Sequence, residues 1–516
     1  MPESPVRLLI VGLPPTKPSE PGLSGAAAAA WLRACGIEAR WIDASIAWFQ
    51  HLLGEPVPGG RWARAQPLRS PEIYRDRHRY SSAVARLLRE LRAAAAPWPG
   101  LALRTSDLGI AGFHQASSAD LARFAAGPGP FDPFFEEHLL PKIAQWEPTH
   151  VGISLTFYPQ GFAAFRLAEL LAERLPRVER LLAGPLVDCW AAADAPLGSA
   201  PFRRFHRVLP LHAEADLAAF AADLGAVAPA NAAPLAVALD EAPWEAYLSP
   251  LPVVPVALGR GCYWGRCTFC PDHLRRRYQA CDPHTLEGWL HRVAESFPHG
   301  AMLHLTDSAL PPRHLLHLAD VIARDRLPLR WHGFARLESA FAQPEVARRL
   351  AAGGAVLLQW GLETASPPLL DRLGKGRSVE GARAVLRATA AAGIRNHVYL
   401  LFGQPGETEA DRDATLAFIA AERDSIHDLN NALLNLPRGS PMHRDPVAFG
   451  ITDIEPFSAR TDLSLYDDFR CGASHPRLEA RRWLGRMFAK HPVIKAILGN
   501  LNAPFGANHG CFLGLT

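Results

Sequence analysis

Cysteine is scarce, with 8 in 516 residues, far below the density of a disulfide-built scaffold. Charge of one sign is missing too. Lys and Arg number 54 and Asp and Glu 51, a formal net charge of +3. Such balance leaves no electrostatic footprint for nucleic acid, so that partner is not expected. Long apolar runs are also lacking. The mean hydropathy is -0.01, carried largely by alanine, yet no run reaches the roughly eighteen residues of a membrane span. Met1 to Val11 is a strand-like run followed by Pro14 and Pro15. It has no basic segment ahead of a long apolar one, so no signal peptide is expected. Together these absences predict a cytoplasmic chain without a membrane partner.

What is present points to an α/β protein. A length of 516 residues exceeds one ordinary domain. Hydrophobic residues at 48% and charged residues at 20% suit globular folding. Val6–Val11 reads as a buried strand, Gly25–Cys35 as a helix stopped at Gly36, and Glu38–Ile42 as a second strand. His150–Leu155 is a third, ahead of a helix over Gly161–Leu175, and Leu181–Ala183 a fourth, ended by Gly184 and Pro185. This alternation predicts a parallel, Rossmann-like sheet in residues 1–225, with ligands at its strand carboxyl ends. Residues 46–140 interrupt it and read as a helical insertion. Dense alanine and proline over 226–252 predict a surface linker. A second series follows over 253–440, with strands at Val253–Leu258, Ala301–Leu305, Leu329–Phe334, Val356–Gly361 and His397–Phe402. Helical stretches separate them, which predicts a full or partial barrel. Residues 441–516 are less regular.

Three cysteines crowd into nine positions: Gly261-Cys262-Tyr263-Trp264-Gly265-Arg266-Cys267-Thr268-Phe269-Cys270. They follow the first strand of the second series, where a barrel gathers its catalytic groups. Three thiolates on one loop suit zinc or an iron–sulfur cluster. A structural zinc normally takes four protein ligands, and His273 and Cys281 are the nearest candidates for a fourth. A three-cysteine cluster instead leaves one iron open to a substrate or cofactor.

This segment resembles the radical S-adenosylmethionine (SAM) enzymes. Their usual spacing is C-x3-C-x2-C; here it is C-x4-C-x2-C, which lengthens the first arc of the loop. The resemblance implies a 4Fe-4S cluster on Cys262, Cys267 and Cys270, with Phe269 flanking the SAM adenine. Leu305-Thr306-Asp307-Ser308 stands where the family places polar groups for the SAM amino group, making Asp307 and Ser308 candidates; a helix cap or turn would use Asp307 equally. Phe334-Ala335-Arg336-Leu337 resembles a strand-end arginine that pairs with a carboxylate, the plainer reading being a surface charge. Gly361-Leu362-Glu363-Thr364-Ala365-Ser366, Arg372-Leu373-Gly374-Lys375-Gly376 and Leu401-Phe402-Gly403-Gln404-Pro405-Gly406-Glu407-Thr408 match in order. They imply Glu363 at SAM polar atoms and Phe402 and Gly403 on the adenine side. These matches span about residues 255–425 and imply a partial (β/α)6 radical SAM barrel. The implied chemistry is reductive: an electron from the cluster, supplied by a flavodoxin or ferredoxin, cleaves SAM to methionine and a 5'-deoxyadenosyl radical, which abstracts hydrogen.

Residues 1–225 resemble the cobalamin-binding domain that precedes the barrel in one radical SAM branch. The matching residues are Leu8-Leu9-Ile10-Val11 with Pro14-Pro15, the helix near Ala26–Ala34, His150-Val151-Gly152-Ile153-Ser154-Leu155-Thr156 and Leu182-Ala183-Gly184-Pro185. Pro14, Thr156 and Gly184 are the implied cobalamin-side residues. The D-x-H-x-x-G motif is absent, as is common in this branch, and Leu211-His212-Ala213-Glu214-Ala215 stands where glycines often border the nucleotide tail. The implied activity is a cobalamin-dependent C-methyltransferase acting on a small molecule, a peptide or another natural-product intermediate. A radical SAM oxidoreductase or cyclase with a vestigial cobalamin domain is the alternative; a non-catalytic metal or cobalamin carrier is a reading of another class. Cys35 and Cys189 alone are too few for the three-cysteine second cluster of a methylthiotransferase. Cys471, His475, His509 and Cys511 lie in a C-terminal region that would shape the substrate pocket, and read as structural rather than catalytic.

Overall fold

The computed structural model describes residues 6–54, 60–211, 214–227, 235–271, 278–498 and 510–513. They form two compact units: Met1–Pro255 with Ser458–Leu465, and Val256–Phe457 with Tyr466–Thr516. His212, His273 and His509 fall outside the described residues. Among the described residues no helix is long and apolar enough to cross a membrane.

The first unit is built on strands β1 (Arg7–Gly12), β2 (Glu38–Asp43), β3 (His150–Ser154), β4 (Glu179–Ala183) and β5 (Arg207–Leu209), with helices α1 (Leu23–Ala34), α2 (Gly161–Arg174) and α3 (Pro185–Ala192). The spatial order is β2-β1-β3-β4-β5, and every neighbouring pair is parallel. This is a doubly wound sheet whose winding reverses between β1 and β3, the place where such sheets open a crevice at their carboxyl ends. Gly25 sets α1 close to that point. A Cβ there would lie 3.0 Å from the Ser154 Cβ and 3.1 Å from Ile10 Cγ2.

The insertion after β2 is helical, as expected, with Ala44–Leu53, Arg77–Ala95 and Ser118–Ala125 as helices and a small hairpin of Leu101–Leu103 with Leu108–Ile110. Arg77–Ala95 buries Tyr80, Val84, Leu87 and Leu91 on one stripe. Arg166 of α2 ties the insertion to the sheet. Its guanidinium donates to Asp132 at 2.6 to 3.1 Å and to the Ala125 carbonyl at 2.9 Å.

Two expectations about boundaries are corrected. The stretch expected as a surface linker is packed into the first unit where it is described. Arg33 pairs with Glu241 at 2.6 Å, the Leu248 amide reaches the Pro18 carbonyl at 2.7 Å, and Tyr247 Oη donates to Asp43 at 2.7 Å. Alanine and proline are apolar, and with Trp244, Tyr247 and Leu248 among them the stretch has surface to bury. The C-terminal region is likewise not one piece. Asp462 accepts from the Ser118 amide at 2.8 Å, Arg460 donates to Asp120 at 2.8 Å, and the Leu463 carbonyl accepts from Tyr158 and Trp190 at 2.7 and 2.9 Å.

Asp43 carries a pH prediction. Burial pushes its carboxyl up to about 6, against the hydrogen bonds from Tyr247, Ile46 and Ser45 that favour the charge. A raised folded-state pKa means that stability is fully present below the unfolded value of 3.8 and is lost as pH rises through about 6. Asp43→Asn keeps the acceptor oxygen for the Ser45 and Ile46 amides. Its stability relative to the parent should therefore gain about 1–3 kcal/mol between pH 3.5 and pH 8. Denaturant titrations at the two pH values measure this; an unchanged difference refutes it.

The second unit carries β6 (Val253–Ala257), which crosses the unit boundary, then β7 (Ala301–Leu305), β8 (Leu329–Ala335), β9 (Ala355–Glu363), β10 (Arg395–Phe402) and β11 (Asp428–Leu433). They lie side by side in chain order, and β7 to β11 pair in parallel. Between them run α4 (Pro283–Ser296), α5 (Pro312–Arg324), α6 (Pro344–Ala352), α7 (Val379–Ala391) and α8 (Glu409–Ala421). The sheet has a seventh strand, the two residues Leu235–Ala236 beside β6; its other six are the half-barrel expected. Trp331 and Trp360 face the helical layer, donating to the Gly353 carbonyl and to Asn396 at 2.8 Å each. Beyond β11, β12 (Leu436–Pro437), β13 (Asp453–Pro456) and β14 (Tyr466–Arg470) form an antiparallel sheet in the order β12-β14-β13. It covers a core of Leu373, Leu434, Leu436, Met442, Ile451 and Phe469.

Candidate active site

The cysteine loop leaves β6 at its carboxyl end. The Leu258 and Gly259 amides donate to the two oxygens of Asp307 at 3.0 and 2.7 Å, and Gly259–Arg260 pairs with Gln279–Ala280 to close the loop's base. Cys262, Cys267 and Cys270 are half-buried and free of disulfides. The segment after α-helix Pro367–Arg372 forms the loop's bed. Thr268 donates its amide to the Leu373 carbonyl at 3.1 Å and its hydroxyl to the Arg372 carbonyl at 3.0 Å. Trp264 Nε1 donates to the Gly374 carbonyl at 2.9 Å, and the Arg336 guanidinium lies 3.8 Å from the Trp264 ring centroid. The longer Cys262–Cys267 arc is thus anchored by an inward-turned tryptophan.

Gly374 and Gly376 explain the Leu-Gly-Lys-Gly block. Their φ values are +65° and +63°. A Cβ at Gly374 would meet the Arg266 carbonyl oxygen at 2.3 Å, and one at Gly376 the Trp264 ring at 2.3 Å. Only glycine meets both the backbone and the space. Gly376→Ala is expected to cost about 1–2 kcal/mol in backbone strain and to displace Trp264. Iron retained after reconstitution should fall by half or more while circular dichroism stays unchanged. Full iron loading would contradict this.

The bed is cationic. Lys375 Nζ donates to Glu363 at 2.9 Å, the lysine buried and the glutamate nearly so. Arg336 is buried, pairs with Glu338 at 2.9 Å and donates to the Lys375 carbonyl at 2.6 Å. Tyr263 donates to Glu338 at 2.7 Å. Arg377 donates to the carbonyls of Gly361 and Leu362, and burial lowers its pKa to about 10. Burial pushes the Cys267 thiol up, while Lys375 and Arg336 pull it down. Cys281 differs: burial, with Asp307 and Asp282 beside it, pushes it up to about 12.

The other expected SAM-side residues separate. Glu363 sits at the end of β9 at φ +61°, a left-handed position rare outside glycine and found at functional sites. Arg336 is an internal group rather than the surface charge weighed against it. Asp307 is buried, and burial pushes it up to about 7; its oxygens already serve the loop amides, so it positions the loop. Ser308 is exposed beside it. Phe269 is half-buried, packing on the Leu373–Phe469 core with Lys375 Nζ 5.6 Å from its ring centroid. Phe402 is buried: its ring is 1% exposed, held 5.7 Å from Trp483 and 5.5 Å from Phe488. Gly403, at φ +75°, donates its amide to Glu407 at 2.6 Å. Trp264, Lys375, Glu338 and Arg377 were not singled out from the sequence, although Lys375 stands inside the block quoted for its match.

In the first unit, Pro14, Thr156 and Gly184 follow β1, β3 and β4, so all three stand at the sheet's carboxyl edge. Thr156 bonds Ser24 at 2.9 Å and takes the Gln160 side-chain oxygen on its amide at 2.8 Å. Gln160 also fixes the Leu13 carbonyl before Pro14 at 2.7 Å. Gly184 has φ +118°, and a Cβ there would lie 2.5 Å from the Leu155 carbonyl oxygen. Phe157, missed in the sequence, is 55% exposed at this edge. In the C-terminal part, Cys511 is buried, Cys471 packs on the Leu373–Phe469 core, and His475 caps the helix Pro476–Trp483, all in structural positions.

The sequence matches the radical SAM superfamily over residues 256–419, the stretch that holds the cysteine loop, its bed and the strands up to β10. This stretch is a radical SAM domain. A curated relative, "Uncharacterized methyltransferase PH0819" of Pyrococcus horikoshii, is 26% identical over 207 residues, covering 36% of this chain and 42% of that protein. The match therefore spans under half of the relative's length. Among solved structures, the cobalamin-dependent S-adenosylmethionine radical enzyme OxsB with aqua-cobalamin bound aligns with a TM-score of 0.51 at 13% identity, over 93% of this chain and 58% of that one. The radical S-adenosylmethionine methyltransferase TsrM from Kitasatospora setae, with tryptophan substrate and aza-SAM bound, aligns with a TM-score of 0.50 at 15% identity, over 88% of this chain and 79% of that one. The chain shares the fold of these proteins.

The residues of the radical SAM domain fit an iron–sulfur cluster: three free thiols stand half-buried on one loop, soft donors of the kind such clusters take. Lys375 and Arg336 stand beside Cys267 to offset thiolate charge.

Proposed function

We propose that the chain is a cobalamin-dependent radical SAM C-methyltransferase acting on a small molecule or a peptide, reduced by a flavodoxin or ferredoxin. The observation that carries this reading is the pairing, in one chain, of a β2-β1-β3-β4-β5 sheet with a three-cysteine radical SAM domain. Aqua-cobalamin in OxsB and tryptophan in TsrM support the same cofactor and a small-molecule acceptor here.

When bound, the cluster and SAM supply a hydrogen-abstracting 5'-deoxyadenosyl radical, and cobalamin supplies a methyl carrier. The protein's own residues bind and orient these groups. Cys262, Cys267 and Cys270 hold the cluster. Asp307 fixes the loop's first amides, and Trp264 with the Gly374–Gly376 bed fixes its far arc. Glu363, held by Lys375, meets polar atoms of SAM; Phe269 flanks its adenine and Ser308 its amino group. Pro14, Thr156 and Gly184 border cobalamin, with the exposed ring of Phe157 offering an apolar face beside them.

The test is cobalamin retained per chain after anaerobic cluster reconstitution, incubation with hydroxocobalamin and desalting. Near-stoichiometric retention is expected. A folded, cluster-loaded protein that retains none would overturn the methyltransferase reading and leave an oxidoreductase or cyclase.

A further inference from the structure

Among the described residues, one group of side chains outside the cysteine loop gathers metal-ligand atoms. His51 lies in the last turn of helix Ala44–Leu53. Glu137 and His138 lie in the π-helical turn Phe135–Leu139. One ligand atom of each of the three residues falls within 4.8 Å of the other two. His138 Nε2 is 3.9 Å from the Glu137 carboxylate, and the His51 and His138 rings stand edge to face at 5.0 Å.

We propose that His51, Glu137 and His138 form a site for a divalent transition-metal ion such as Zn2+, separate from the radical SAM chemistry. The donor set selects the ion. Two imidazoles and one carboxylate suit zinc, nickel, cobalt or copper, whereas calcium and magnesium take oxygen ligands. Two histidines and a glutamate with one open position is an established zinc arrangement. At 2.0–2.1 Å from a tetrahedral zinc, ligand atoms sit about 3.3 Å apart. The remaining closure is small, and the side chains of His138 and Glu137 are 53% and 64% exposed and able to rotate. The Phe134 ring stands 5.8 Å from His51 and 6.0 Å from His138, an apolar wall shared by both imidazoles. π-Turns concentrate at functional sites, and this one carries two of the three ligands.

The position indicates the role. His51 is eight residues beyond Asp43 (51 − 43), at the carboxyl end of β2, so it lies about 12 Å along the helix from the cofactor edge of the sheet. The metal would staple together two parts of the helical insertion that are 86 positions apart (137 − 51), where closing a long loop contributes most.

The test uses the full chain, stripped with a chelator and titrated with Co2+. Thiolate ligation at the cysteine loop gives near-ultraviolet sulfur-to-cobalt charge transfer; the proposed site gives only visible ligand-field bands. One additional equivalent without the thiolate band is expected. His138→Ala and Glu137→Gln, both at exposed positions that leave the core intact, should weaken that equivalent by on the order of tenfold or more and leave the thiolate band unchanged. Zn2+ should raise the melting temperature of the parent by more than that of His138→Ala, whose thiolate site is intact. A parent showing thiolate-bound metal alone, or a His138→Ala variant binding as tightly as the parent, overturns the proposal.

Discussion

Cys262→Ser, Cys267→Ser and Cys270→Ser are each expected to remove the iron–sulfur absorbance and to bring SAM cleavage to background, a loss of roughly three or more orders of magnitude, as when one member of an interdependent catalytic set is deleted. Cys281 sits at the loop's base, outside the Cys262–Cys270 arc, with its amide bonded to the Leu258 carbonyl at 2.9 Å. Cys281→Ser should accordingly leave iron content and SAM cleavage unchanged. The loop variants should keep their fold, because the three cysteines are half-buried and the loop's bed is held by Trp264 and Thr268. The measurements are iron and sulfide per chain and 5'-deoxyadenosine formed with dithionite. A Cys267→Ser protein that loads iron and cleaves SAM like the parent would sink the assignment.

Much of this site was legible in the sequence because its chemistry requires particular residue types at close spacing. Three cysteines in nine positions are hard to produce otherwise, and the strand–helix series placed them at a strand's carboxyl end. Glu363 was legible through its block, although its left-handed backbone was not. The supporting layer was hidden for a physical reason. Lys375 and Glu363 are twelve positions apart and Arg336 and Trp264 seventy-two, so only the fold makes them neighbours. The packing around Phe402 was hidden too, because Trp483 and Phe488, which cover it, are far along the chain. The segment Ser458–Leu465 belongs with the first unit through Asp462, Arg460 and Leu463; no periodicity announces that. The linker misread has the opposite cause. Alanine and proline mark linkers by composition, but the interspersed Trp244, Tyr247 and Leu248 carry enough apolar surface to pack.

Lys375→Met is expected to destabilise the second unit by about 3–5 kcal/mol, the scale for leaving one partner of a buried ion pair uncompensated. The pair is short, 2.9 Å, with side chains only 7% and 13% exposed. Its geometry leaves little room for repair. Glu363 stands at φ +61°, and a Cβ at Gly361 would lie 2.5 Å from its carboxylate, so the carboxylate is pressed against bare backbone. Arg377 is also near but already donates to the Gly361 and Leu362 carbonyls. Lys375→Met/Glu363→Gln removes both charges and should recover most of the loss, because a buried pair replaced together costs far less than one broken. The single variant Glu363→Gln separates scaffold from cofactor contact. If Glu363 only braces Lys375, the variant loses stability and binds SAM normally once folded. If it also meets SAM, as proposed, SAM affinity falls by tenfold or more, about 1.4 kcal/mol or above, in protein whose cluster content is unchanged. Denaturant titration of the cycle, with iron content and SAM binding measured on each variant, decides between them. A Lys375→Met protein as stable as the parent would show that the carboxylate finds another cation, and would remove Lys375 from the account of how the loop is held.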